Sequence, residues 1–523
     1  MQPESDIGNT EYKRSLSMFD NEHINHIISQ LKWRLYEGDG EAIYFIGVDD
    51  NGTIYGFTDE DDMNTSIKVI SDATFQSDAK IYNLEYLYEN EKKYIKVTIR
   101  KNMHELYLNE SRIAFIGDSF SGKSTFLGHI LYGMSDDGDG NLKILVCNHL
   151  HELNTGKTSS IKTGIIGTTN NMIYNYKNCK SYNEICNMSK NIVTFIDLPG
   201  DSKYIQTILS GMMNYQPNYY FLFINPMDEF TSDKYNRISI YIKCCQFLKV
   251  NLSIIITKSD LATNQIIHDC IEKIKNILIT EITIVDENYD IEYQTEKTYL
   301  FEISSVTNYG ISKFNDFIIW ISKQKFIVNN KNAISNTEFH ITDKYYFQDI
   351  GCIVAGIMFN GIIDIKKKYL IGPFADDVDR FKYINIESIH NKRIPCSSLL
   401  VGTLATIKLS FLDNTYENEK KINKNMIIIS SDILQNPKES FDADLTLWFH
   451  PSKLRVNSKI TVHIRNTIQP CIITNIYNNT CELLQTMTSR VTIKFMKNPE
   501  NICINDKFIF CDLPIFGFGT VII

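Results

Sequence analysis

The spacing of hydrophobic residues changes along this chain and first predicts a small α+β region over residues 1–110. Residues 22–37 carry isoleucine and leucine at helical spacing, and AIYFIGVDDNGTIYGF alternates like two strands around an Asp50-Asn51-Gly52 turn. A helix after TDEDD and two strands near 80–87 and 93–100 complete the region. The first 20 or so residues are polar and are expected to be mobile. We find no catalytic constellation in this region.

Apolar strands alternate with longer helical stretches from residue 111 to about 330. The strands are RIAFIG (112–117), IVTFIDL (192–198), YYFLFI (219–224), LSIIIT (252–257) and YLFEIS (299–304). Continuous apolar strands between helices indicate a parallel sheet with helices on both faces. The pattern therefore predicts an α/β nucleotide-binding domain over residues 111–330.

Helical periodicity largely stops after about residue 330. Short strands continue to the end, separated by turn dipeptides such as Asn360-Gly361, Gly372-Pro373 and Asn478-Asn479. This pattern predicts two antiparallel β-barrels, over residues 336–435 and 437–523.

The net charge of −9 is concentrated in residues 1–110, which hold 21 acidic against 11 basic residues. The remainder is therefore close to neutral and is not repelled from RNA. No apolar run reaches the roughly 20 residues of a membrane helix, and no signal peptide is evident. We expect a monomer in the cytoplasm, or in a host's cytoplasm if an AT-rich giant virus encodes the chain. The 12 cysteines form no CxxC pair, which disfavours a zinc site or disulfide framework.

The strongest local signal is GDSFSGKST, placed between a strand and a helix. Its glycines allow backbone N–H groups to converge on a triphosphate, Lys123 supplies a cation for the β and γ oxygens, and the Ser124 hydroxyl suits Mg²⁺. The alternative, a structural glycine turn, is disfavoured by that placement. The predicted phosphate-binding residues are Gly117, Asp118, Ser119, Phe120, Ser121, Gly122, Lys123, Ser124 and Thr125.

The stretch FIDLPGDSKY ends a second apolar strand. Asp197 at the strand end can hold Mg²⁺ through water, and the Gly200 N–H can contact the γ-phosphate. Downstream of a phosphate loop this Asp-x-x-Gly becomes a switch candidate, whereas alone it is a common loop motif. The residues assigned to it are Asp197, Leu198, Pro199, Gly200 and Asp201.

TKSD closes a third strand and indicates guanine. The Asp260 carboxylate can accept hydrogen bonds from N1–H and the exocyclic amine of guanine, which adenine does not offer in that pattern, and the Lys258 stem can cover the ring. Thr257 stands where Asn is more usual, which loses some hydrogen bonds that brace the loop. The base-binding residues are predicted to be Thr257, Lys258, Ser259, Asp260, Ser304, Ser305 and Val306, the last three from ISSV.

HELNTGKTSS lies in the long connection before the second strand. Thr158 is the best candidate to complete the Mg²⁺ shell with Ser124 and close over the γ-phosphate. The alternative is a solvated Ser/Thr loop.

Together these motifs resemble the translational GTPases of the elongation factor Tu class, in particular the eukaryotic GTP-binding protein 1 and 2 group. The matching stretches are HELNTGKTSS, TFIDLPGDSKYIQTILSGM, TKSD and ISSVTNYG, then FHITDKYYFQDIGCIVAGIMFNGIIDIKKKYLIGPF, IESIHNKRIP and FDADLTLWFHP through GFGTVII in the barrels, and EGDGEAIYFIGVDDNGTIYGFTDEDDM before them. The resemblance covers about residues 22–523. It implies a GTP-switched, Mg²⁺-dependent factor that engages the ribosome and aminoacyl-tRNA or acts in RNA surveillance, and it supports Thr158 as the switch threonine.

Two positions depart from the family pattern. Phe120 stands where the family usually has Asp near the phosphates, and Asp201 stands where the family has the His that orients the attacking water. An ionised carboxylate near the γ-phosphate costs about 1–4 kcal/mol at effective dielectric constants of about 80 to 20. We therefore expect GTP binding with weak intrinsic hydrolysis, Lys123 and Gly200 contributing to catalysis and Asp201 a doubtful contributor. The opposing possibility is that Asp201 acts as a general base or is neutralised by a lysine such as Lys203.

Three functions remain open. The first is a GTPase of the translation-factor type. The second is an interaction protein that binds GTP, hydrolyses it poorly and holds partners through its barrels and acidic N-terminal region. The third, a metabolic kinase or ATPase, is disfavoured by TKSD and by the two trailing β domains.

Overall fold

A computed structural model gives the fold of the 523-residue chain. The structure describes residues 3–522 except 6–7, 17–20, 39–40, 78, 91, 102–108, 148, 170, 279–280, 287–291, 325–336, 348–349, 375–379, 413–415, 432–436, 450–452, 479–481 and 513. The predicted domain boundaries at 330–336 and 435 lie outside the described residues, and the one at 110 follows directly on such a gap. The chain forms two compact units, residues 1–107 and residues 108–523.

The first unit packs two helices against a four-stranded sheet of order β1-β2-β4-β3. Strands β1 and β2 are parallel, and the other neighbours are antiparallel. Alternate residues of β2 are buried, as the sequence pattern requires. The elements are β1 (Thr10–Lys13), α1 (Asn21–Glu37), β2 (Glu41–Ile46), α2 (Glu60–Gln76), β3 (Ala79–Glu89) and β4 (Lys92–Lys101).

The N-terminal segment differs from its prediction, because Thr10–Lys13 pair with β2 and are not a free tail. The buried guanidinium of Arg34 holds this segment through the carboxylates of Glu4 and Glu11, each at 2.6 Å. The predicted second strand after the Asp50-Asn51-Gly52 turn is reduced to two isolated bridges, Val48 with Ile54 and Phe57 with Lys93.

The second unit begins with an α/β domain. Its strands and helices alternate as the hydrophobic pattern predicts. They are β5 (Asn109–Gly117), α3 (Lys123–Tyr132), α4 (Leu150–Thr155), β6 (Lys162–Thr168), β7 (Ile173–Tyr174), α5 (Tyr182–Met188), β8 (Asn191–Asp197), α6 (Ile205–Asn214), β9 (Tyr219–Ile224), α7 (Ser232–Leu248), β10 (Asn251–Ile256), α8 (Asn264–Lys275), β11 (Ile282–Val285), β12 (Thr298–Glu302) and α9 (Ile311–Lys323).

Within the described part of this domain, the strands form one sheet of order β11-β12-β10-β9-β5-β8-β6-β7. The six strands from β11 to β8 are parallel, whereas β6 and β7 are added antiparallel at one edge. Helices α6, α7 and α8 cover one face, and α3 and α9 cover the other, each with its own apolar core. The predicted α/β fold is confirmed, and the antiparallel edge is an addition to it.

Two antiparallel barrels follow. The first is the ring β16-β21-β13-β14-β20-β17, closed by pairing of β16 with β17, and the second is the ring β22-β27-β25-β24-β28-β29. Their elements are β13 (Glu338–Phe347), β14 (Gly351–Asn360), β15 (Ile362–Asp364), β16 (Lys368–Gly372), β17 (Lys382–Asn391), β18 (Ile394–Cys396), β19 (Ser398–Leu400), β20 (Leu404–Phe411), α10 (Tyr416–Lys421), β21 (Ile427–Ser430), β22 (Ser440–Phe449), β23 (Leu454–Arg455), β24 (Lys459–Ile464), β25 (Thr467–Ile476), β26 (Glu482–Leu483), β27 (Thr488–Phe495), β28 (Lys507–Asp512) and β29 (Ile515–Val521). The prediction of two barrels is confirmed.

Buried polar contacts join both barrels to the α/β domain. The Arg112 guanidinium donates to the backbone carbonyls of Tyr215 and Gln216, each at 3.0 Å, and to that of Gly402 in the first barrel. The second barrel is joined through Gln206, whose side chain bonds to His463 and to the Cys511 carbonyl. Because these groups are at least partly shielded from water, each junction favours one arrangement of the domains it joins.

No helix in the described residues is long and apolar enough to cross a membrane.

Glu500 in the second barrel makes the stability of the folded chain depend on pH. Its carboxylate accepts from Gln469 Nε2 at 2.7 Å and Thr467 Oγ1 at 3.1 Å, and burial raises its pKa to about 7 despite these bonds. The pKa in the unfolded chain is near the ordinary 4.5, so the folded chain holds an extra proton between the two values. The stability that Glu500 contributes is therefore fully present below about pH 4.5, and it is lost as the pH rises through about 7.

We expect Glu500→Gln to raise the melting temperature at about pH 8 and to leave it nearly unchanged at about pH 4.5, because the amide stays neutral. Scanning calorimetry at both pH values measures this. Glu439→Gln, at an exposed site beside the same barrel, is the control. An equal shift of the Glu500 variant at both pH values would contradict the burial of an ionisable carboxylate.

Candidate nucleotide-binding site

The loop between β5 and α3 has the backbone that the glycine spacing predicts. Gly117 has a φ of +139°, where a side chain would also strike the Phe223 carbonyl, and Gly122 has a φ of +87° directly before α3. A helix N-terminus carries N–H groups without intrahelical partners, so the loop directs donors toward one point.

Lys123, the first residue of α3, folds back across this loop. Its Nζ donates to the carbonyls of Gly117 and Asp118, each at 2.8 Å. Burial lowers the pKa of Lys123 to about 8, although the nearby Asp197 opposes the shift. The ammonium is thus held inside the loop, where an anion would be surrounded by donors.

Three side chains predicted to serve one metal ion lie together. Ser124 Oγ donates to Asp197 Oδ2 at 2.6 Å, and Ser124 Oγ lies 2.8 Å from Thr158 Oγ1. Because the single Ser124 proton goes to the carboxylate, the Thr158 hydroxyl donates to Ser124. The three come from α3, the end of β8 and the segment after α4, so the fold joins positions 34 and 39 residues apart in sequence.

Asp197 is fully buried, and its Oδ1 has no hydrogen-bond partner among the described residues. Burial raises the pKa of this carboxyl, while Lys123 and the Ser124 hydroxyl oppose the shift. An orphaned carboxylate oxygen beside two hydroxyl oxygens is a donor set that fits a hard divalent cation such as Mg²⁺.

Gly200 packs directly on the phosphate loop. Its carbonyl accepts from Ser119 N at 3.1 Å, and a Cβ on Gly200 would lie 2.5 Å from that nitrogen. Leu198, which precedes it, is buried in the core and donates its N–H to the Phe115 carbonyl of β5. The Asp197–Gly200 turn is therefore tied to β5 at one end and to the loop at the other.

Asp201 forms an ion pair with Lys157 and not with the side chain of Lys203. Lys157 Nζ lies 2.8 Å from Asp201 Oδ2, while Oδ1 accepts the backbone N–H of Lys203 at 3.2 Å. The hydrogen bond from Lys157 is the main reason that the pKa of Asp201 is lowered. The carboxylate is therefore ionised and already paired.

Thr257 braces the phosphate loop despite replacing the more usual Asn. Its hydroxyl donates to the Ser121 carbonyl at 2.9 Å. The side chain of Asp260, in the next turn of the same loop, is exposed and faces the cavity described below. Of the loop after β12, Ser304 is buried and its hydroxyl accepts from the N–H groups of Val306 and Thr307.

A cavity of about 510 Å³ connects these groups. Its lining includes Ser119, Phe120, Ser121, Gly122, Lys123, Ser124, Thr125, Thr158, Gly200, Thr257, Lys258, Asp260, Ser305 and Val306. All of these residues were predicted from the sequence. Their roles toward a ligand remain predictions.

Eight predicted residues are not part of the cavity lining, namely Gly117, Asp118, Asp197, Leu198, Pro199, Asp201, Ser259 and Ser304. The Asp118 carboxylate forms a bidentate ion pair with Arg237 of α7, at 2.7 and 2.9 Å. Phe120 is 57% exposed with a φ of +63°, and its ring lies beside Gly156. Asp118 therefore anchors the loop to α7. Phe120 covers Gly156, at the start of residues 156–161, which follow α4 and are called the Thr158 segment below.

Sequence reasoning missed two residues of the cavity wall, Lys143 and Asp136, and a buried acid that holds the segment after α4. Lys143 Nζ donates to the Gly156 carbonyl, and the Asp136 carboxylate accepts the N–H groups of Gly138, Gly140 and Leu142. Glu152 is fully buried, accepts from the Ser159 N–H at 2.7 Å and pairs with Lys162 at 3.1 Å. A buried acid and its lysine ten residues apart carry no sequence motif, so only the fold reveals them.

The phosphate loop and the strand-end carboxylate lie at the carboxyl edge of a parallel sheet that two closed barrels follow, which is the arrangement that the resemblance to translational GTPases predicts. Residues 109–324 match the family described as Elongation factor Tu GTP binding domain. The nucleotide-binding domain of this chain is accordingly similar to that of elongation factor Tu, and the resemblance inferred from its motifs is confirmed.

Relatives extend this similarity over nearly the whole chain. Human GTP-binding protein 2 is 28% identical over 539 residues, covering 99% of this chain and 87% of its own length. GTP-binding protein 1 of Xenopus laevis is 26% identical over 517 residues, covering 96% of this chain and 76% of its own length. The N-terminal unit is therefore included in the similarity.

Solved structures share the fold. The Ski7 GTPase-like domain of S. cerevisiae bound to GTP has a TM-score of 0.63 and 15% identity, over 80% of this chain and 98% of that chain. A bacterial selenocysteine-specific elongation factor has a TM-score of 0.56 and 14% identity, over 79% of this chain. This chain spans 58% of that factor.

The buried Glu152 is expected to keep the Thr158 segment folded. Glu152→Ala removes the acceptor of the Ser159 N–H and leaves Lys162 unpaired, which should cost about 3–5 kcal/mol. Hydrogen exchange of residues 150–161 should accelerate strongly, while exchange in the barrels is unchanged. Glu152→Gln, which keeps an acceptor oxygen, should show a smaller effect. Unchanged exchange in the Ala variant would contradict this role.

Proposed function

We propose that the chain binds GTP and GDP with Mg²⁺ and hydrolyses GTP slowly, acting as a switch of the translation-factor type. The observation that carries the proposal is the cluster of Ser124, Thr158 and Asp197 beneath the phosphate loop, with one carboxylate oxygen left without a partner among the described residues. Such a group is costly to bury unless a ligand satisfies it. Lys123 and the loop N–H groups supply the matching sites for phosphate oxygens.

The residues present fit Mg²⁺. Ser124 and Thr158 would hold it through their hydroxyl oxygens, and Asp197 through a water molecule. When bound, the ion neutralises charge on the β- and γ-phosphate oxygens. Thr158 can join the site only while the segment after α4 stays folded over it, so loss of the γ-phosphate would release that segment. This coupling is the proposed switch.

Guanine specificity is assigned to Asp260. Its carboxylate faces the cavity and is exposed, and no hydrogen bond or ion pair to another described residue is recorded for it. It is therefore ready to accept the two adjacent donors of guanine. Lys258 and Val306 line the same end of the cavity and can cover the base from its two sides.

Slow hydrolysis is assigned to Asp201. Attack on the γ-phosphate needs an oriented water and stabilisation of charge on the phosphoryl oxygens. Each oxygen of this carboxylate already accepts one hydrogen bond, from Lys157 or from the Lys203 N–H, which holds the group in place and not free to turn toward a water. We propose that this position, and not the nucleotide-binding residues, limits turnover.

The second candidate is a GTP-binding interaction protein whose turnover is negligible. The Lys157–Asp201 ion pair favours it, because the pair joins the two segments that would otherwise separate after hydrolysis. Ribosome- or RNA-stimulated phosphate release favours the first candidate, and GTP binding without stimulation favours the second. Ribosome, aminoacyl-tRNA or other RNA as partners are proposed from the family resemblance, and a cytoplasmic location and a monomeric state are proposed from the sequence.

The variant Asp260→Asn tests whether Asp260 recognises the guanine base. The amide would place an N–H₂ group against the guanine donors, so GTP affinity should fall by at least about tenfold, corresponding to loss of one charge-assisted hydrogen bond. Xanthosine triphosphate has a carbonyl in place of the exocyclic amine, so its affinity should rise. Equilibrium competition against a fluorescent GTP analogue measures both. Unchanged GTP affinity would remove Asp260 from the site.

The variant Asp201→His tests whether Asp201 limits the rate of GTP hydrolysis. An imidazole can orient the attacking water, which the ion-paired Asp201 does not, so the single-turnover rate of GTP hydrolysis should rise by roughly ten- to a thousandfold although Lys157 loses its partner. The rates are compared with and without ribosomes, and GDP affinity serves as the control for intact binding. No gain in either condition would contradict the assignment of slow turnover to Asp201.

A further inference from the structure

Lys157 is a cation at the cavity wall that the nucleotide motifs do not account for. It follows the end of α4 and the left-handed Gly156, and it directly precedes Thr158. Its side chain is 39% exposed. Because Thr158 is anchored to Ser124, the backbone next to Lys157 is fixed relative to the phosphate loop.

The Asp201 carboxylate fixes the position of the Lys157 ammonium. Lys157 is among the residues that line the cavity, whereas Asp201, which is also described, is not. Asp201 is itself fixed through Oδ1 by the Lys203 N–H, so its other oxygen is held toward Lys157. Lys157 therefore stands at the cavity wall, and its ammonium is fixed there by a carboxylate that does not itself line the cavity.

The neighbours of Lys157 mark the end of the cavity where the γ-phosphate must lie. Thr158 contacts Ser124, and Gly200, the residue before Asp201, contacts Ser119 of the phosphate loop. These two segments meet through the Lys157–Asp201 ion pair, whereas the segment of Asp260, which is proposed to take the base, contacts the loop at Ser121 through Thr257. A triphosphate extended between the two ends brings its terminal phosphoryl group to Lys157.

We propose that Lys157 is a catalytic residue that contacts the γ-phosphate, and that Asp201 is the positioning residue that holds its ammonium there. This pair of roles rests on the proposed GTPase function. It explains how the active site tolerates an acid at position 201. The positive charge of Lys157 offsets the negative charge of the Asp201 carboxylate. The same positive charge is available to the phosphoryl oxygens during transfer.

The reaction balances without any further reactant. The oxygen of water forms a bond to the γ-phosphorus while the bond from that phosphorus to the β–γ bridging oxygen breaks. The bonding electron pair stays on GDP, and the protons of water leave on inorganic phosphate and to solvent. Lys157 keeps its proton throughout and acts by charge and hydrogen bonding alone.

The simpler alternative is that Lys157 and Asp201 form an exposed ion pair of little consequence, as such pairs often do. The two accounts differ in what they predict for GTP relative to GDP. A residue that contacts the γ-phosphate affects only the triphosphate, because GDP lacks the contacted group. A surface pair affects neither nucleotide, and a folding defect affects both.

The test compares Lys157→Met, Lys157→Arg and Lys203→Met in the full chain. Lys203 is the matched control, since its ammonium lies over the Tyr204 ring and not at Asp201. We expect Lys157→Met to lower the preference for GTP over GDP by about tenfold and to slow single-turnover hydrolysis by at least as much. GDP affinity should stay within about twofold. Lys157→Arg should retain most of the preference for GTP and most of the hydrolysis rate, because it keeps the positive charge. Lys203→Met should change neither the preference nor the rate.

The positioning role is tested by Asp201→Asn in two backgrounds. With Lys157 present, the change should slow hydrolysis, because the ammonium is no longer held. In the Lys157→Met background the same change should speed hydrolysis, because it removes a carboxylate that has no counter-charge. Effects of the same sign in both backgrounds would overturn the positioning role.

The outcomes separate this inference from the proposed function. If the wild-type chain binds neither GTP nor GDP, the proposed function fails. If it binds both and Lys157→Met leaves their affinity ratio and the hydrolysis rate unchanged, only the role of Lys157 fails. An equal loss in Lys203→Met would also overturn the assignment to Lys157.

Discussion

The carboxylate of Asp197 is the point on which the site depends. It has no exposure to solvent, yet it ends a strand of the central sheet and one of its oxygens has no partner among the described residues. A buried charge of this kind is costly unless other groups compensate it. Lys123 and the Ser124 hydroxyl supply part of that compensation, which ties β8 to the loop after β5. The remaining capacity of the carboxylate is what a metal ion and its water would use.

Much of this arrangement follows from sequence because its parts are local. The spacing from Gly117 to Ser124 sets a loop between a strand and a helix, and the apolar strands set the sheet that places Asp197 and Asp260 at one edge. Carboxyl ends of neighbouring parallel strands meet at that edge whatever lies between them in sequence. The position of Thr158 beside Ser124 agrees with the place that the motif suggested for it.

The rest could not be predicted because it depends on pairs without a motif. Lys203 lies two residues from Asp201 in sequence, but the ammonium that reaches the carboxylate belongs to Lys157, 44 residues earlier. Strand β6 was missed because KTGIIGT contains two glycines, which indicate a turn when read alone. In the structure Gly164 leaves room for Leu131 of α3, so the glycine serves packing. The pairing of β1 likewise rests on Arg34, two dozen residues away.

The central claim is that this cavity takes a guanine nucleotide with a divalent ion. It is tested most directly by equilibrium competition of GTP, GDP and ATP against a fluorescent GTP analogue, with Mg²⁺ and again with excess chelator. The account predicts displacement by GTP and GDP, no displacement by ATP at the same concentrations, and weaker GTP binding once Mg²⁺ is removed. Equal competition by ATP, or GTP binding that is indifferent to Mg²⁺, would contradict it.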